Sequence, residues 1–259
     1  MQNLIVIKVG GKALGNSDTS TRDIGHLYSM ENPLLIVHGG GNIISEWMAL
    51  LGKRPRFVKG LRVTDSDVID IVTATLAGLL NKKIVSELNS LNTKVLGLSG
   101  VDSKILECEL IDEVLGYVGK VVNINVDLLA TLLKLRIIPV IAPIGYLLSK
   151  ETKQESHILN VNADEAAGAL ATKLEAKKLI FLTDVEGVLD ASGRLIRKLS
   201  REQAQNMIET GVARGGMLPK LQACLEALKK NVEIHIVDGR KPHAILNCMS
   251  DNPPGTFIK

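Results

Sequence analysis

Aromatic residues make up only 3% of this 259-residue chain, with one tryptophan, three tyrosines and three phenylalanines, which leaves no stacking platform for nucleic acid. Charge of one sign is equally scarce. Lys and Arg total 31 against 28 Asp and Glu, a formal charge of +3 that gives no basic stripe, although scattered lysines suffice for a small anionic substrate. Cys108, Cys224 and Cys248 are far apart and odd in number, so neither a disulfide framework nor a zinc site is expected. The five histidines form no i, i+4 pair and have no acidic ligand pattern beside them, and no protein-held metal is expected. Long apolar runs are missing too. The longest, such as Ile137 to Ile144, fall far short of the roughly 20 residues of a membrane span. No basic segment precedes the strand-like Leu4-Ile5-Val6-Ile7, which excludes a signal peptide by pattern and predicts a cytoplasmic protein. No Pro-, Ser- or Gly-rich linker divides the 28.0 kDa chain, and residues 1–259 are read as one domain with a large core.

What is present is organised around Leu34 to Ser45, LLIVHGGGNIIS, where a β-branched and leucine run stops at three glycines and an amphipathic segment begins. This reads as a buried strand feeding a helix. Gly39, Gly40 and Gly41 are expected to turn the backbone with positive φ and to offer bare amides, helped by the helix dipole, to a phosphate, carboxylate or oxyanion. Three familiar readings of such a stretch fail. Ile44 stands where a dinucleotide fingerprint requires its third glycine; the nearest approach to a nucleophile elbow, Gly97-Leu98-Ser99-Gly100-Val101, lacks the final glycine; and no P-loop sequence occurs.

Strand-like and helical stretches alternate along the rest of the chain, predicting an α/β three-layer sandwich around a central, mostly parallel sheet. Leu4 to Val9 carries Lys8 at its carboxyl end, the edge of a parallel sheet where ligands bind, so Lys8 and the glycine nest are expected to face one crevice. Trp47 is read as core with Ile43, Ile44, Met48 and Leu51. Arg56 to Thr64 reads as a hairpin about Gly60 that presents Arg62. Asp65 to Leu91 is one long helical stretch, broken near Asn81, and Val118 to Asn125 extends an antiparallel insertion. Ile137 to Ile144 is a single buried strand, residues 145–158 are polar and turn-rich, and Gly255 to Ile258 is a final edge strand. Asp164 opens an alanine-rich helix and is the expected cap of it. Thr183 to Gly187 forms a polar loop at a strand's carboxyl end. Ser200 and Gln203 form a capping box. Lys220 falls in the first turn of a helix, where the dipole disfavours it, so an anion should compensate it.

Five motifs stand in order: Lys8-Val9-Gly10-Gly11, His38-Gly39-Gly40-Gly41, Gly60-Leu61-Arg62-Val63-Thr64, Asn160-Val161-Asn162-Ala163-Asp164 and Gly215-Gly216-Met217-Leu218-Pro219-Lys220. Together they resemble the amino-acid kinases of acetylglutamate kinase type, over the whole chain. The resemblance implies the amino-acid kinase fold, with approximate lobes 1–165 for the acyl-amino acid and 166–259 for the nucleotide. It implies phosphoryl transfer from ATP to the γ-carboxylate of N-acetyl-L-glutamate, the second step of arginine synthesis. Lys8 and Lys220 are then the catalytic cations and Asp164 their organiser. Gly40, Gly41, Arg62 and Asn160 bind substrate, and Gly10, Gly11, Thr183, Asp184, Gly187, Gly215, Gly216 and Met217 bind phosphate and nucleotide. Magnesium arrives on the nucleotide phosphates, without dedicated protein ligands. Two alternatives are a kinase of carrier-linked glutamate or aminoadipate, against which GLRVT and NVNAD argue, and a non-catalytic amino-acid sensor, against which the retained Lys8, Asp164 and Lys220 argue.

Relatives inhibited by arginine carry an extra N-terminal helix that links dimers into rings, whereas here three residues precede the first strand. The expectation is an arginine-insensitive homodimer, paired through the apolar face from Val68 to Leu88.

Overall fold

The apolar stretches pair side by side in a computed structural model that describes residues 3–10, 19–148 and 156–259. From the start, β1 (Ile5–Val9), α1 (Ser20–Ser29), β2 (Leu34–His38) and α2 (Gly41–Leu50) lead to the hairpin of β3 (Phe57–Val58) and β4 (Leu61–Arg62). Then come α3 (Ser66–Thr73), a π-helical turn (Ala74–Leu80), α4 (Asn81–Asn89), β5 (Val95–Ser99), β6 (Leu106–Leu110), β7 (Val118–Ile124), α5 (Asp127–Lys134), β8 (Ile138–Ala142), β9 (Ile144–Leu147) and β10 (Ile158–Val161). The remaining elements are α6 (Ala163–Lys173), β11 (Lys178–Thr183), β12 (Lys198–Leu199), α7 (Arg201–Glu209), α8 (Met217–Leu228), β13 (Glu233–Asp238), α9 (Ala244–Asn247) and β14 (Thr256–Ile258).

Eight strands form one sheet in the order β12-β14-β13-β11-β1-β2-β8-β5. Every pairing is parallel except β13 with β14. Because side chains alternate along a strand, the central strands feed two separate layers. Val6, Leu35, Val37, Leu179 and Phe181 pack with residues of α5, α6, α7 and α8 on one face. Ile5, Ile7, Ile36, Ile180 and Leu182 pack with α1, α4 and α9 on the other. The three layers expected are therefore present. Gly168 on α6 allows α8 to come close: a Cβ there would stand 2.8 Å from the Ala223 Cβ and 3.0 Å from its carbonyl oxygen. That approach brings the helices that begin near Asp164 and Lys220 together.

Several expectations need correction. Ile137 to Ile144 is not one strand; β8 ends at Ala142 and, past Pro143, β9 leaves the sheet for a closed barrel with β6, β7 and β10. The insertion is thus a barrel that mixes antiparallel pairs, β6 with β7 and β9 with β10, with parallel ones, β7 with β10 and β6 with β9. The stretch after Asp65 keeps its apolar face but passes through a π turn before Asn81 in place of a break. That face is spent within the chain, with Val68, Ile69, Val72, Leu76, Leu80, Ile84 and Leu88 all buried, so it offers no surface for a partner. Trp47 is 41% exposed, and β14 lies inside the sheet, flanked by β12 and β13. Of the polar stretch 145–158, residues 149–155 fall outside the described residues. The three cysteines are buried and unbridged, and burial lifts the Cys108 thiol to about 12, which suits packing and not chemistry.

Candidate active site

Lys8, the glycine nest, Thr183-Asp184 and Asp238-Gly239-Arg240 follow from the carboxyl ends of β1, β2, β11 and β13, so the parallel sheet collects them along one edge. Gly39 N–H donates to the Val9 carbonyl at 2.8 Å and Gly239 N–H to the Thr183 carbonyl at 2.9 Å, locking neighbouring strand ends together.

Asp164 is the hub. Its Oδ1 takes Lys8 Nζ at 2.8 Å and its Oδ2 takes Lys220 Nζ at 2.9 Å, with all three side chains at most 12% exposed. Burial alone would raise the carboxyl, but the two ammonium groups hold it down at about 2. Burial lowers Lys220, and the like charge of Lys8 adds to that, against the pull of Asp164. Lys220 Nζ also lies 4.8 Å from the centre of the Phe181 ring, a cation–π contact. The anion expected to offset the dipole at Lys220 is this carboxylate. One carboxylate between two ammoniums leaves the cluster one positive charge in excess, in a site mostly removed from water. An incoming anion would supply the balance. The cap of α6 is Asn162 and not Asp164: its Oδ1 accepts from the backbone N–H groups of Asp164 at 2.9 Å and Glu165 at 3.2 Å, which frees the Asp164 carboxylate for the lysines.

The glycine nest differs from expectation in its backbone. None of Gly39, Gly40 and Gly41 lies in the left-handed region; Gly40 has φ 171° with ψ 20°. Glycine is needed at position 40 for space, because a Cβ would collide with Leu80 and come within 2.6 Å of Leu76, both on the π turn. Gly39 spends its amide on Val9. Arg62 is buried and reaches back to α2, donating from NH2 to the Gly41 carbonyl at 2.8 Å and Ser45 Oγ at 2.9 Å, while Phe57 covers the guanidinium at 4.8 Å. Burial lowers the Arg62 pKa. Asn160 donates to Thr64 Oγ1 at 3.1 Å, tying the barrel to the hairpin segment.

Two cavities meet at this cluster and share Lys8, Gly41 and Asp164. The smaller, about 240 Å³, is lined by the nest, Phe57, Arg62, Pro143 and Asn160, all from the first 164 residues. The larger, about 470 Å³, takes Gly10, Thr183, Asp184, Gly216, Met217 and Lys220 as walls, together with Arg214 and Arg240. Of the nucleotide-binding residues expected, Gly187 is packed against Thr256 and Gly215 stands beside the wall, neither lining the cavity, while Gly11 lies outside the described residues. Arg240 was missed. Asp238 holds it with two 2.8 Å contacts, to Nε and NH2, and the Asp-Gly-Arg after β13 carries the same strand-end signal that marked Lys8. Among the described residues no group of three or more His, Cys, Asp or Glu side chains is placed to hold a metal, and no helix is long and apolar enough to cross a membrane.

The strand-end crescent, the glycine turn and the paired lysines belong to a known architecture: residues 3–238 match the amino acid kinase family, and the chain is a member of it. Acetylglutamate kinase from Dehalococcoides mccartyi is 39% identical over 256 residues, covering 99% of this chain and 94% of that protein. Acetylglutamate kinase from Dinoroseobacter shibae is 40% identical over 261 residues, covering 99% and 89%. A crystal structure of smu.665 from Streptococcus mutans UA159 superposes with a TM-score of 0.83 at 31% identity, over 100% of this chain and 99% of that one.

Proposed function

We propose that the chain is an acetylglutamate kinase, a cytoplasmic enzyme that transfers the γ-phosphoryl of ATP to the γ-carboxylate of N-acetyl-L-glutamate and so makes N-acetyl-L-glutamyl 5-phosphate for arginine synthesis. The observation that carries this is the Lys8–Asp164–Lys220 cluster at the junction of the two cavities. A carboxylate oxygen forms the new bond to the γ-phosphorus as the bond from that phosphorus to the β-bridging oxygen breaks, and ADP leaves with the electron pair. The nucleophile is already ionised, so no base is required; the demand is for positive groups around the moving phosphoryl.

In this reading Lys8 and Lys220 flank the phosphoryl, with Gly11 and the amides of Gly40 and Gly41 assisting, and Asp164 keeps both lysines in place. Arg62 and Asn160 take the α-carboxylate side of the acceptor, Gly40 and Gly41 its γ-carboxylate. Gly10, Thr183, Asp184, Gly216, Met217 and Arg240 receive the nucleotide. For lobes at 1–165 and 166–259, the smaller cavity is walled wholly by the first, whereas the larger lies between the two, taking Lys8, Gly10, Gly41, Asn42 and Asp164 from the first. Magnesium accompanies ATP on its phosphates and screens their charge. Asp164 is committed to two lysines, so in this reading the ion is held by phosphate and water. A homodimer would have to use a surface other than the buried Val68 to Leu88 face, and the exposed Trp47 and Leu50 of α2, with Leu51 just past its end, are available to it. Light scattering at twice 28.0 kDa supports the dimer and at 28.0 kDa refutes it.

A coupled ADP-release assay with N-acetyl-L-glutamate, free glutamate and a carrier-linked glutamate tests the reading. Turnover with the acetylated acceptor alone is the expected result; none with it overturns the assignment.

A further inference from the structure

Behind the glycine nest lies a buried polar network with no part in the chemistry described so far. His38, fully buried, places Nδ1 3.0 Å from the Gly39 carbonyl oxygen. Its Nε2 is 3.4 Å from Asn81 Nδ2. That amide nitrogen is oriented by the Val140 carbonyl at 2.9 Å and the Leu98 carbonyl at 3.3 Å, both of which only accept, while Asn81 Oδ1 takes Lys82 Nζ at 3.2 Å. Asn81, also fully buried, is the first residue after the π turn, whose Leu76 and Leu80 press on Gly40. Gly97 keeps the carboxamide in place, because a Cβ there would collide with Asn81 Oδ1.

A carbonyl oxygen cannot donate, so Nδ1 must carry the proton toward Gly39, and Nε2 stays bare against the Asn81 amide nitrogen, which only donates and shares its two hydrogens among Val140, Leu98 and the ring. Burial holds the ring neutral by lowering it to about 4. In a planar trans peptide the C=O and N–H point in opposite directions. Holding the Gly39 oxygen inward on a buried ring therefore turns the Gly40 N–H outward, toward the cavity that Gly39, Gly40 and Gly41 line. Without a restraint the Gly39–Gly40 plane is free to rotate, since glycines at both ends tolerate either orientation.

We propose that Asn81 and His38 are positioning residues: the carboxamide delivered by the π turn fixes the ring tautomer, and the ring sets the Gly39–Gly40 peptide plane so that the Gly40 amide faces the reacting anion. The benefit to catalysis rests on the proposed kinase reading; the tautomer and the peptide orientation do not. Asn81→Asp replaces the donor to Nε2 by an acceptor of the same shape, which favours the opposite tautomer and sets a bare Nδ1 against the Gly39 oxygen.

The test has two arms. Long-range ¹H–¹⁵N spectra of the unmodified protein should report His38 as the Nδ1–H tautomer at neutral pH; an Nε2–H tautomer overturns the proposal whether or not the protein turns over acetylglutamate. In Asn81→Asp the His38 signals should move to the Nε2–H pattern, and kcat/KM for the acceptor should fall at least about tenfold while the KM for ATP stays within about twofold. An unchanged tautomer, or acceptor and nucleotide constants shifted alike, overturns it. Absence of acetylglutamate turnover in the parent, with the Nδ1–H tautomer observed, would sink the substrate assignment and leave the orientation of the nest standing.

Discussion

The two cavities that meet at Asp164 are built on opposite principles. The larger, the proposed nucleotide side, is walled by flexible cations that acidic side chains hold, Lys220 by Asp164 and Arg240 by Asp238. The smaller, the proposed acceptor side, has one arginine, and most of its polarity comes from backbone amides and from groups fixed by hydrogen bonds. Long cationic side chains suit a polyphosphate, whose charge is large and spread over many oxygens. A small dicarboxylate demands position more than charge, and rigid amides give position at little entropic cost. Lys8 and Asp164 belong to both cavities, so in the proposed reading the step from binding to transfer falls on them.

The largest expected effect is at the charged junction. Lys220→Ala should lower kcat by about a thousandfold, roughly 4 kcal/mol of barrier, with both KM values changed far less. A loss within about tenfold would remove Lys220 from the transferring phosphoryl. Arg62→Ala should raise the acceptor KM by about 30- to 100-fold, the scale of roughly 2 to 3 kcal/mol for hydrogen bonds to a charged group, and leave the ATP KM alone. Arg62→Lys should not restore it, because an ammonium lacks the planar fork. Equal changes in both constants would break the division between the cavities.

The third effect concerns stability. Asp164 has a folded-state value near 2, below its ordinary value, so its contribution is complete above about pH 4 and is lost as pH falls toward 2. The difference in urea midpoint between the parent and Asp164→Asn should therefore shrink over that window; a difference constant from pH 6 to pH 2 would contradict the ion pairing. The smallest effect is at Arg240, which is more than half exposed. Arg240→Ala should raise the ATP KM only severalfold, on the order of 1 kcal/mol or less, without touching the acceptor KM.

Much of this site was legible because it obeys local rules. A lysine at a strand end, a glycine cluster before a helix and a lysine in a disfavoured helix position each announce an anion; Lys8 and the nest share one crevice as that reading expected, and Lys220 finds its anion in Asp164. The capping box of Ser200 and Gln203 likewise forms. What was illegible depends on partners remote in sequence. The barrel joins strands of four to seven residues whose pairings the local pattern does not encode. The π turn hides because Val68, Val72, Leu76, Leu80, Ile84 and Leu88 keep a helical spacing through it. Trp47 looked like core because α2 carries apolar residues on more than one side, and only packing reveals which side is covered. Asn162 and Asp164 are both competent caps; the two lysines that decide between them come from residues 8 and 220.

The position of β1 has a consequence for how the protein is made. This strand sits between β2, which ends 29 residues later at His38, and β11, which begins at Lys178. During synthesis β1 can find its first neighbour early, but its other edge stays open until almost 170 further residues have been added, roughly ten to thirty seconds at common elongation rates. Through that interval Ile5, Ile7 and Val9 belong to an incomplete sheet with exposed backbone donors and acceptors, the kind of surface that recruits chaperones or wrong partners. The ion pair of Lys8 with Asp164 closes over a somewhat shorter stretch, before β11 is made. The nascent chain therefore completes the middle of its sheet late and the Lys8–Asp164–Lys220 cluster later still, since Lys220 follows β11, at the expense of high contact order and slow folding.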